Sequence, residues 1–118
     1  MSTLSTHVLD SGTGRPAVGM SVRLEAAVEV EVEVEQRQGW LPVGSGVTDS
    51  DGRLKSWGER PIGPGSYRLT FDTGNWFAER ERECFYPEVT ITFVIRGSGH
   101  HHVPLLLAQY AYSTYRGS

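Results

Sequence analysis

The stretch Gly19-Met-Ser-Val-Arg-Leu-Glu-Ala-Ala-Val-Glu-Val-Glu-Val-Glu-Val-Glu35 has the clearest periodicity in the chain. From Val22 to Val34 an apolar side chain recurs at every second position, and most positions between them are charged. Because side chains alternate between the two faces of a strand, this period predicts a long β-strand with one buried and one solvated face. The acidic row is interpreted as a solvated face rather than a metal site, and it protects a strand edge from aggregation.

Shorter alternating segments, separated by turns rich in glycine and proline, lie on both sides of this strand. Strands are predicted at residues 4–10, 40–48, 66–72, 88–96, 100–108 and 111–115, a short strand opens at Arg53, and residues 36–39 form a turn. One short helix is predicted at residues 75–83, capped by Thr73 or Asn75. Pro104 lacks an N–H donor, so its strand is predicted to be an edge or to carry a bulge. Seven to eight strands and one helix indicate an all-β class, an antiparallel β-sandwich in a single domain, residues 1–118.

Composition excludes several classes of function. The chain has 118 residues and a formal net charge of −3, which leaves no basic surface for a nucleic-acid partner. No apolar run approaches the ~18 residues that a membrane span needs, and no signal segment begins the chain. Cys84 is the single cysteine, so no internal disulfide is possible. We therefore expect a cytoplasmic protein that binds neither membrane nor nucleic acid.

The four histidines are the first candidates for chemistry. Strand geometry places His100 and His102 on one face and His101 on the other. A pair at i and i+2 is compatible with zinc or copper binding, with acid–base catalysis near neutral pH, or with a structural role, and spacing alone leaves all three open. His7 is isolated in its strand, and by itself it favours a structural role.

Two arginines stand beside glycines. Arg53 follows Gly52 and Arg116 precedes a glycine, so either guanidinium can reach past an open backbone to a planar anion, although a plain surface charge is the alternative. The segment Asp49-Ser-Asp-Gly52 lacks the spacing and the closing glutamate of a calcium loop, and it predicts a turn with a positive φ at the glycine. Ser118 is not favoured as a covalent nucleophile and fits a role in positioning water or substrate better.

Three stretches together carry a family resemblance. They are Leu4-Ser-Thr-His-Val-Leu-Asp10 with Gly14-Arg-Pro-Ala17, then Thr48-Asp-Ser-Asp-Gly-Arg53, and finally the His-His-His-Val-Pro-Leu-Leu run from His100 with its terminal Tyr115-Arg-Gly-Ser118. In this order, along nearly the whole chain, they resemble the motifs of the 5-hydroxyisourate hydrolases, the transthyretin-like enzymes of urate breakdown. The resemblance implies a transthyretin-like sandwich.

The resemblance also implies an activity and its residues. The reaction is hydrolysis of 5-hydroxyisourate to 2-oxo-4-hydroxy-4-carboxy-5-ureidoimidazoline, without metal or organic cofactor. His7 or His102 would activate water, and Arg53 would stabilise the developing charge, with Arg116 as a second candidate. The implied catalytic residues are His7, Arg53 and His102, and the implied substrate-binding residues are His100, Tyr115, Arg116, Gly117 and Ser118.

Further expectations follow from the same resemblance. The chain is expected to form a homotetramer, a dimer of dimers, with active sites between the dimers. The family's strand is shorter than the Val-Glu stretch at 28–35, so an overhang or extended hairpin is expected. His101 stands where the family often has tyrosine and should point away from the site. Transthyretin itself, a hormone carrier of the same fold, supplies the alternative of a non-enzymatic small-molecule binding protein.

Overall fold

The computed structural model describes residues 2–32 and 35–118, which form two β-sheets around one core. The elements are β1 (Ser2–Asp10), β2 (Arg15–Pro16), β3 (Ser21–Val32), β4 (Glu35–Val47), β5 (Arg53–Leu54), β6 (Gly65–Phe71), α1 (Thr73–Ala78), β7 (Val89–Ile95), β8 (Gly99–Leu107) and β9 (Tyr112–Thr114). One sheet has the order β2-β1-β8-β9, with β5 also paired to β1, and the other has the order β4-β3-β6-β7. Within the described ranges, α1 is too short to cross a membrane, and no other helix could span one.

Alternation along β1 shows how the sequence builds the sandwich. Leu4 and Val8 are fully buried, whereas Ser5 and His7 lie half-buried on the outer face of the sheet. Burial of one such aliphatic side chain stabilises the fold by roughly 1.5–3 kcal/mol. The fully buried side chains that fill the space between the sheets are Leu4, Val8, Met20, Val22, Leu24, Leu69, Phe71, Phe77, Val89, Ile95, Leu105 and Leu107.

The long Val-Glu strand forms the expected extended hairpin. β3 pairs with β4 from Ser21 to Val32, but its pairing with β6 ends at Ala26, so the hairpin projects beyond its neighbour in the sheet. The turn predicted at residues 36–39 is wrong, because these residues belong to β4 and pair with β3. Backbone pairing does not require apolar side chains, so a polar segment can continue a strand. Residues 33 and 34 of the predicted strand lie outside the described residues.

The helix is shorter than predicted and begins earlier. It spans residues 73–78 rather than 75–83, and its N-cap is Asp72, whose side chain makes no capping hydrogen bond. Thr73 instead donates its hydroxyl to the Tyr86 carbonyl at 2.5 Å, so the predicted Thr73 or Asn75 cap is wrong. Glu81 has a φ of 55°, a left-handed conformation that turns the chain away soon after the helix.

A buried ion pair joins the end of β1 to the segment that follows α1. Arg82 donates to both carboxylate oxygens of Asp10, at 2.5 and 3.3 Å, and the Asp10 side chain is only 3% exposed. Burial by itself raises the pKa of the Asp10 carboxyl. Hydrogen bonds from Arg82 and Thr13, together with the charge of Arg82, outweigh this effect, so the pKa lies below its ordinary value. This tertiary contact explains why the charged sequence after Ala78 leaves the helix.

β8 is an interior strand of its sheet. It lies between β1 and β9, and its register with β1 runs without interruption from Gly99 to Leu107, so the predicted edge or bulge at Pro104 is wrong. β1 and β8 run parallel, unlike the other strand pairs of the described chain. β9 pairs with β8 only at residues 105–107. Pro104 therefore lies just where that pairing stops, and its missing N–H is tolerated there.

Candidate active site

The register of three adjacent strands gathers the predicted catalytic residues. The parallel pairing sets His7 opposite Pro104 and Ser5 opposite His102. On the other side of β1, β5 sets Arg53 opposite His7. Opposed residues in a sheet share a face, so His7, Arg53 and His102 lie on the outer face of one sheet although they are far apart in the sequence.

The turn before β5 delivers Arg53 to this face. Gly52 has a φ of +75°, as predicted, and a Cβ at this position would lie 2.4 Å from the carbonyl oxygen of Val8. Asp49 Oδ1 accepts hydrogen bonds from the backbone N–H of Arg53 at 3.0 Å and of Asp51 at 2.9 Å. These two hydrogen bonds hold the pKa of the Asp49 carboxyl below its ordinary value, and the one from Arg53 has the larger effect. Only glycine fits this close approach without strain.

The histidines of β8 are linked through serine and threonine hydroxyls of β1. Ser5 Oγ lies 2.7 Å from His102 Nδ1 and 2.9 Å from His100 Nε2. Thr3 Oγ1 lies 2.7 Å from His100 Nδ1. The two imidazole rings are nearly parallel, with centroids 6.4 Å apart. His102 Nε2, in contrast, has no hydrogen-bond partner in the part of the chain that the structure describes.

The surroundings of His102 favour its neutral form. Partial burial lowers the pKa of His102, and the positive charge of Arg53 lowers it further. His100 and His7 act in the same direction, while a hydrogen bond with the backbone of Ser5 opposes them. A neutral imidazole with an open ring nitrogen can accept a proton from water at neutral pH.

The tail is attached to this site at one residue. The Gly117 N–H donates to the His102 carbonyl at 2.9 Å, and a Cβ on Gly117 would lie 2.4 Å from His102 Cδ2. Tyr115 and Arg116 instead line a cavity of ≈ 330 Å³, and no hydrogen bond or ion pair between described residues joins their side chains to His102. Ser118 is exposed. Within one chain, the tail therefore places backbone rather than side chains against the histidine.

His101 points away from the other two histidines, as expected. It is 9% exposed and lines the same cavity as Tyr115 and Arg116, between the two sheets. Its Nδ1 is buried without a hydrogen-bond partner in the described chain. Such an unpaired polar atom costs about 1–3 kcal/mol, so this position is a weak point of the core.

Sequence reasoning missed Thr3 and Ser5 as members of the site. Alternation along β1 already placed Ser5 on the same side as His7. The pairing of β1 with β8 was the missing information, because it alone places Ser5 opposite His102.

Metal binding was one of the hypotheses that the sequence left open for the consecutive histidines. Among the described residues, no group of three or more histidine, cysteine, aspartate or glutamate side chains is placed to hold a metal ion. His100 Nε2 and His102 Nδ1 both lie within hydrogen-bond distance of Ser5 Oγ, so these two ring nitrogens are already engaged.

A two-sheet sandwich of this size, with a histidine and arginine cluster on the outer face of one sheet, defines a small transthyretin-like domain. The model of the HIUase/Transthyretin family matches residues 4–117, and the chain belongs to that family.

Individual relatives agree with this assignment. A 5-hydroxyisourate hydrolase of Salmonella typhimurium is 46% identical over 98% of this chain and 80% of its own length. The structure of Klebsiella pneumoniae 5-hydroxyisourate hydrolase is 42% identical, covers all of both chains and has a TM-score of 0.81. Sea bream transthyretin in complex with thyroxine is 25% identical, covers 97% of this chain and 93% of its own, and has a TM-score of 0.82.

Proposed function

We propose that this chain hydrolyses 5-hydroxyisourate to 2-oxo-4-hydroxy-4-carboxy-5-ureidoimidazoline, a step of urate breakdown. The similarity to 5-hydroxyisourate hydrolases over nearly the full length supports the reaction. The observation that carries the proposal is the convergence of His7, Arg53 and His102 on one sheet face. A hormone carrier has no need of this combination of two imidazoles and a guanidinium.

In this proposal, the reaction adds one water molecule across a cyclic amide. Water attacks the ring carbonyl while His102 Nε2 takes its proton, since the lowered pKa keeps this imidazole neutral. Arg53 stabilises the negative charge that develops on the carbonyl oxygen, and Arg116 is a second candidate for that role. The C–N bond then breaks, the nitrogen is protonated, and a carboxylate remains. His7 orients the substrate, and His100, Tyr115, Gly117 and Ser118 complete the binding site.

The direct test is an ultraviolet assay of freshly generated 5-hydroxyisourate with and without the protein. We expect clear acceleration over spontaneous decay, and a loss of about 10²–10⁴-fold in kcat for His102→Ala. His7→Ala should also lose activity, and circular dichroism must show that both variants stay folded. Decay that is unchanged by the wild-type protein would refute the proposal, and normal turnover in both variants would remove the proposed base.

A second candidate function is small-molecule binding without catalysis. It is favoured by the likeness to sea bream transthyretin, which was crystallised with thyroxine. Calorimetric titration with thyroxine distinguishes the two: a carrier would bind it tightly and leave 5-hydroxyisourate decay unchanged. We expect the opposite result on both measurements.

We further propose a homotetramer arranged as a dimer of dimers, with the histidine face of each chain covered by another dimer. The histidine face is open in the single chain, where His100 and Arg53 are exposed. Exposed aromatic side chains on and near β9, Tyr112 and Tyr115, are suited to a subunit contact. Light scattering coupled to size-exclusion chromatography should give four times the chain mass, and a monomer that is fully active would contradict the arrangement.

We also propose a cytoplasmic location. Cys84 is a free thiol in the described structure, which is compatible with a reducing compartment. Cell fractionation should recover the protein with cytoplasmic markers, and recovery from the culture medium or membranes would contradict this location.

A further inference from the structure

The hydroxyl of Ser5 stands between two imidazoles and has only one proton to give. Its Oγ is within hydrogen-bond distance of both His102 Nδ1 and His100 Nε2, at 2.7 and 2.9 Å. A serine can donate to one partner while it accepts from another. Since Ser5 cannot donate to both, at least one of the two ring nitrogens must carry a proton when both imidazoles are neutral.

Two proton arrangements satisfy this chain of contacts when Ser5 donates to one of the two histidines. If Ser5 accepts from both, His102 carries its proton on Nδ1, as in the first of them. In the first, His102 Nδ1–H donates to Ser5, Ser5 donates to His100 Nε2, and His100 Nδ1–H donates to Thr3. In the second, each donor and acceptor is exchanged. The first arrangement leaves a lone pair on His102 Nε2, whereas the second puts a proton there, because a neutral imidazole has one N–H and one lone pair.

The positive charge of Arg53 determines which of the two proton arrangements is favoured. Arg53 and His102 lie on the same sheet face, on strands that both pair with β1, and the positive charge of Arg53 disfavours protonation of the ring. Ser5 occupies Nδ1, so Nε2 is the nitrogen left for neighbouring groups and substrate. A nearby cation is attracted to a lone pair and repelled by an N–H dipole. The first arrangement is therefore favoured.

We propose that Ser5 is a positioning residue that holds His102 as the Nδ1–H tautomer and leaves the Nε2 lone pair free to deprotonate water. The inference rests on the proposed hydrolysis. His100 and Thr3 extend the chain of hydrogen bonds behind Ser5 and fix its direction. When Nε2 takes a proton, the Ser5 oxygen still accepts from Nδ1 and stabilises the imidazolium. Ser5 itself touches no reacting atom.

The test needs a readout of the tautomer as well as of the rate. In the wild-type protein, the ¹⁵N chemical shifts of His102, assigned by their loss in His102→Ala, should report a protonated Nδ1 and an unprotonated Nε2. In Ser5→Ala this preference should be lost and kcat should fall about ten- to a hundredfold, the range for groups that orient metal-bound histidines. KM should change little, because Ser5 touches no part of the substrate in this arrangement.

Two further variants separate positioning from a general structural effect. Ser5→Thr keeps a hydroxyl at the same place and should restore the tautomer and most of the rate. Ser66→Ala removes another half-buried serine hydroxyl, in β6 of the opposite sheet, and should change neither.

The wild-type spectrum decides the inference even if Ser5→Ala does not fold. A proton on His102 Nε2 in the neutral wild-type protein would overturn it, as would wild-type kcat in folded Ser5→Ala. If the wild-type protein fails to accelerate 5-hydroxyisourate decay, the proposed function fails while the spectrum still reports the tautomer. The two failures are therefore distinguishable.

Discussion

Arg53 influences His102 through its charge as well as through any contact with substrate. Partial burial lowers the pKa of His102 first, and the Arg53 cation lowers it further because it repels the imidazolium. In Arg53→Gln the cation is gone, so the pKa of His102 should rise and the acidic limb of the pH–kcat/KM profile should move to higher pH. Loss of charge stabilisation should also lower kcat by about 10²–10³-fold.

The matched control for this prediction is Arg60→Gln. Arg60 is also exposed, and within residues 2–32 and 35–118 its one hydrogen bond is a long one to the Pro42 carbonyl at 3.4 Å. Its removal should leave both the rate and the profile unchanged. An acidic limb that stays in place or moves to lower pH in Arg53→Gln would show that Arg53 does not act on His102 electrostatically.

Gly117 is the residue at which the tail contacts His102. A Cβ there would lie 2.4 Å from His102 Cδ2, so Gly117→Ala must displace either the imidazole or the tail. A displacement of about 1 Å can cost on the order of a hundredfold in rate, and we expect a loss of that size in kcat/KM without loss of the fold. Gly63→Ala is the control, because a Cβ at Gly63 meets no atom within 4 Å. Equal activities of the two variants in the ultraviolet assay would contradict the prediction.

At the scale of single residues, the sequence and the structure contribute different information. Strand alternation correctly placed His100 and His102 on one face and His101 on the other. Alternation could not tell whether that pair binds metal, transfers protons or only packs, and the family resemblance supplied the roles. Ser5 was not recognised because its partner lies in β8, far away in the sequence, and no local pattern encodes that register.

At the scale of elements, the Asp10–Arg82 pair fixes the end of β1 to the segment after α1. The pKa of Asp10 is lower in the folded chain than its unfolded value of about 3.9. The folded state thus binds fewer protons, so the pair stabilises the fold above about pH 4 and this stabilisation is lost as pH falls through the folded pKa. Asp10→Asn should cost about 3 kcal/mol at pH 7, the lower end for a broken buried pair, since the Arg82 side chain is 23% exposed.

Urea denaturation at pH 7 and pH 3 checks this prediction. The difference in unfolding free energy between wild type and Asp10→Asn should shrink at pH 3, because this pH lies below the unfolded pKa of aspartate and the unfolded chain then binds a proton. Glu79→Gln is the control, because the Glu79–Arg80 pair is 3.9 Å long and its glutamate is 73% exposed. Exposed pairs contribute about 0–1 kcal/mol. A penalty for Asp10→Asn as small as that of the control would refute the role assigned to the buried pair.

The same pair shows why some element boundaries could not be predicted. The charged residues after Ala78 favour a helix by themselves, but the contact of Arg82 with Asp10 and the left-handed Glu81 end it early. Segment 36–39 looks like a turn locally, yet β3 holds it in a strand. Strands with an apolar face were predictable because the core enforces their period of two. Element boundaries that depend on contacts with residues far away in the sequence could not be predicted.

At the scale of the whole molecule, strand order decides which residues meet. Nothing in the sequence pattern distinguishes a parallel β1–β8 pair from an antiparallel one, and Pro104 pointed toward an edge. The observed order places β1 between β8 and the short β5, which is the arrangement that brings Arg53 and His102 onto one face. The fold class could therefore be predicted from the alternation of apolar residues, whereas the composition of the site depended on the order of the strands in the sheet.

The position of the tail makes a prediction for the assembled protein. Gly117 lies against His102, and Ser118 follows it directly on the exposed side of the sheet. Residues added after Ser118 must leave through the same face that carries the histidines, and in the proposed tetramer another dimer covers that face. A C-terminal extension of about ten residues should therefore lower kcat/KM strongly and weaken tetramer formation. The same extension placed before Met1 should do so much less, and the comparison is made by the ultraviolet assay and light scattering on matched preparations. Full activity of the C-terminally extended protein would mean that the tail does not form part of the working site.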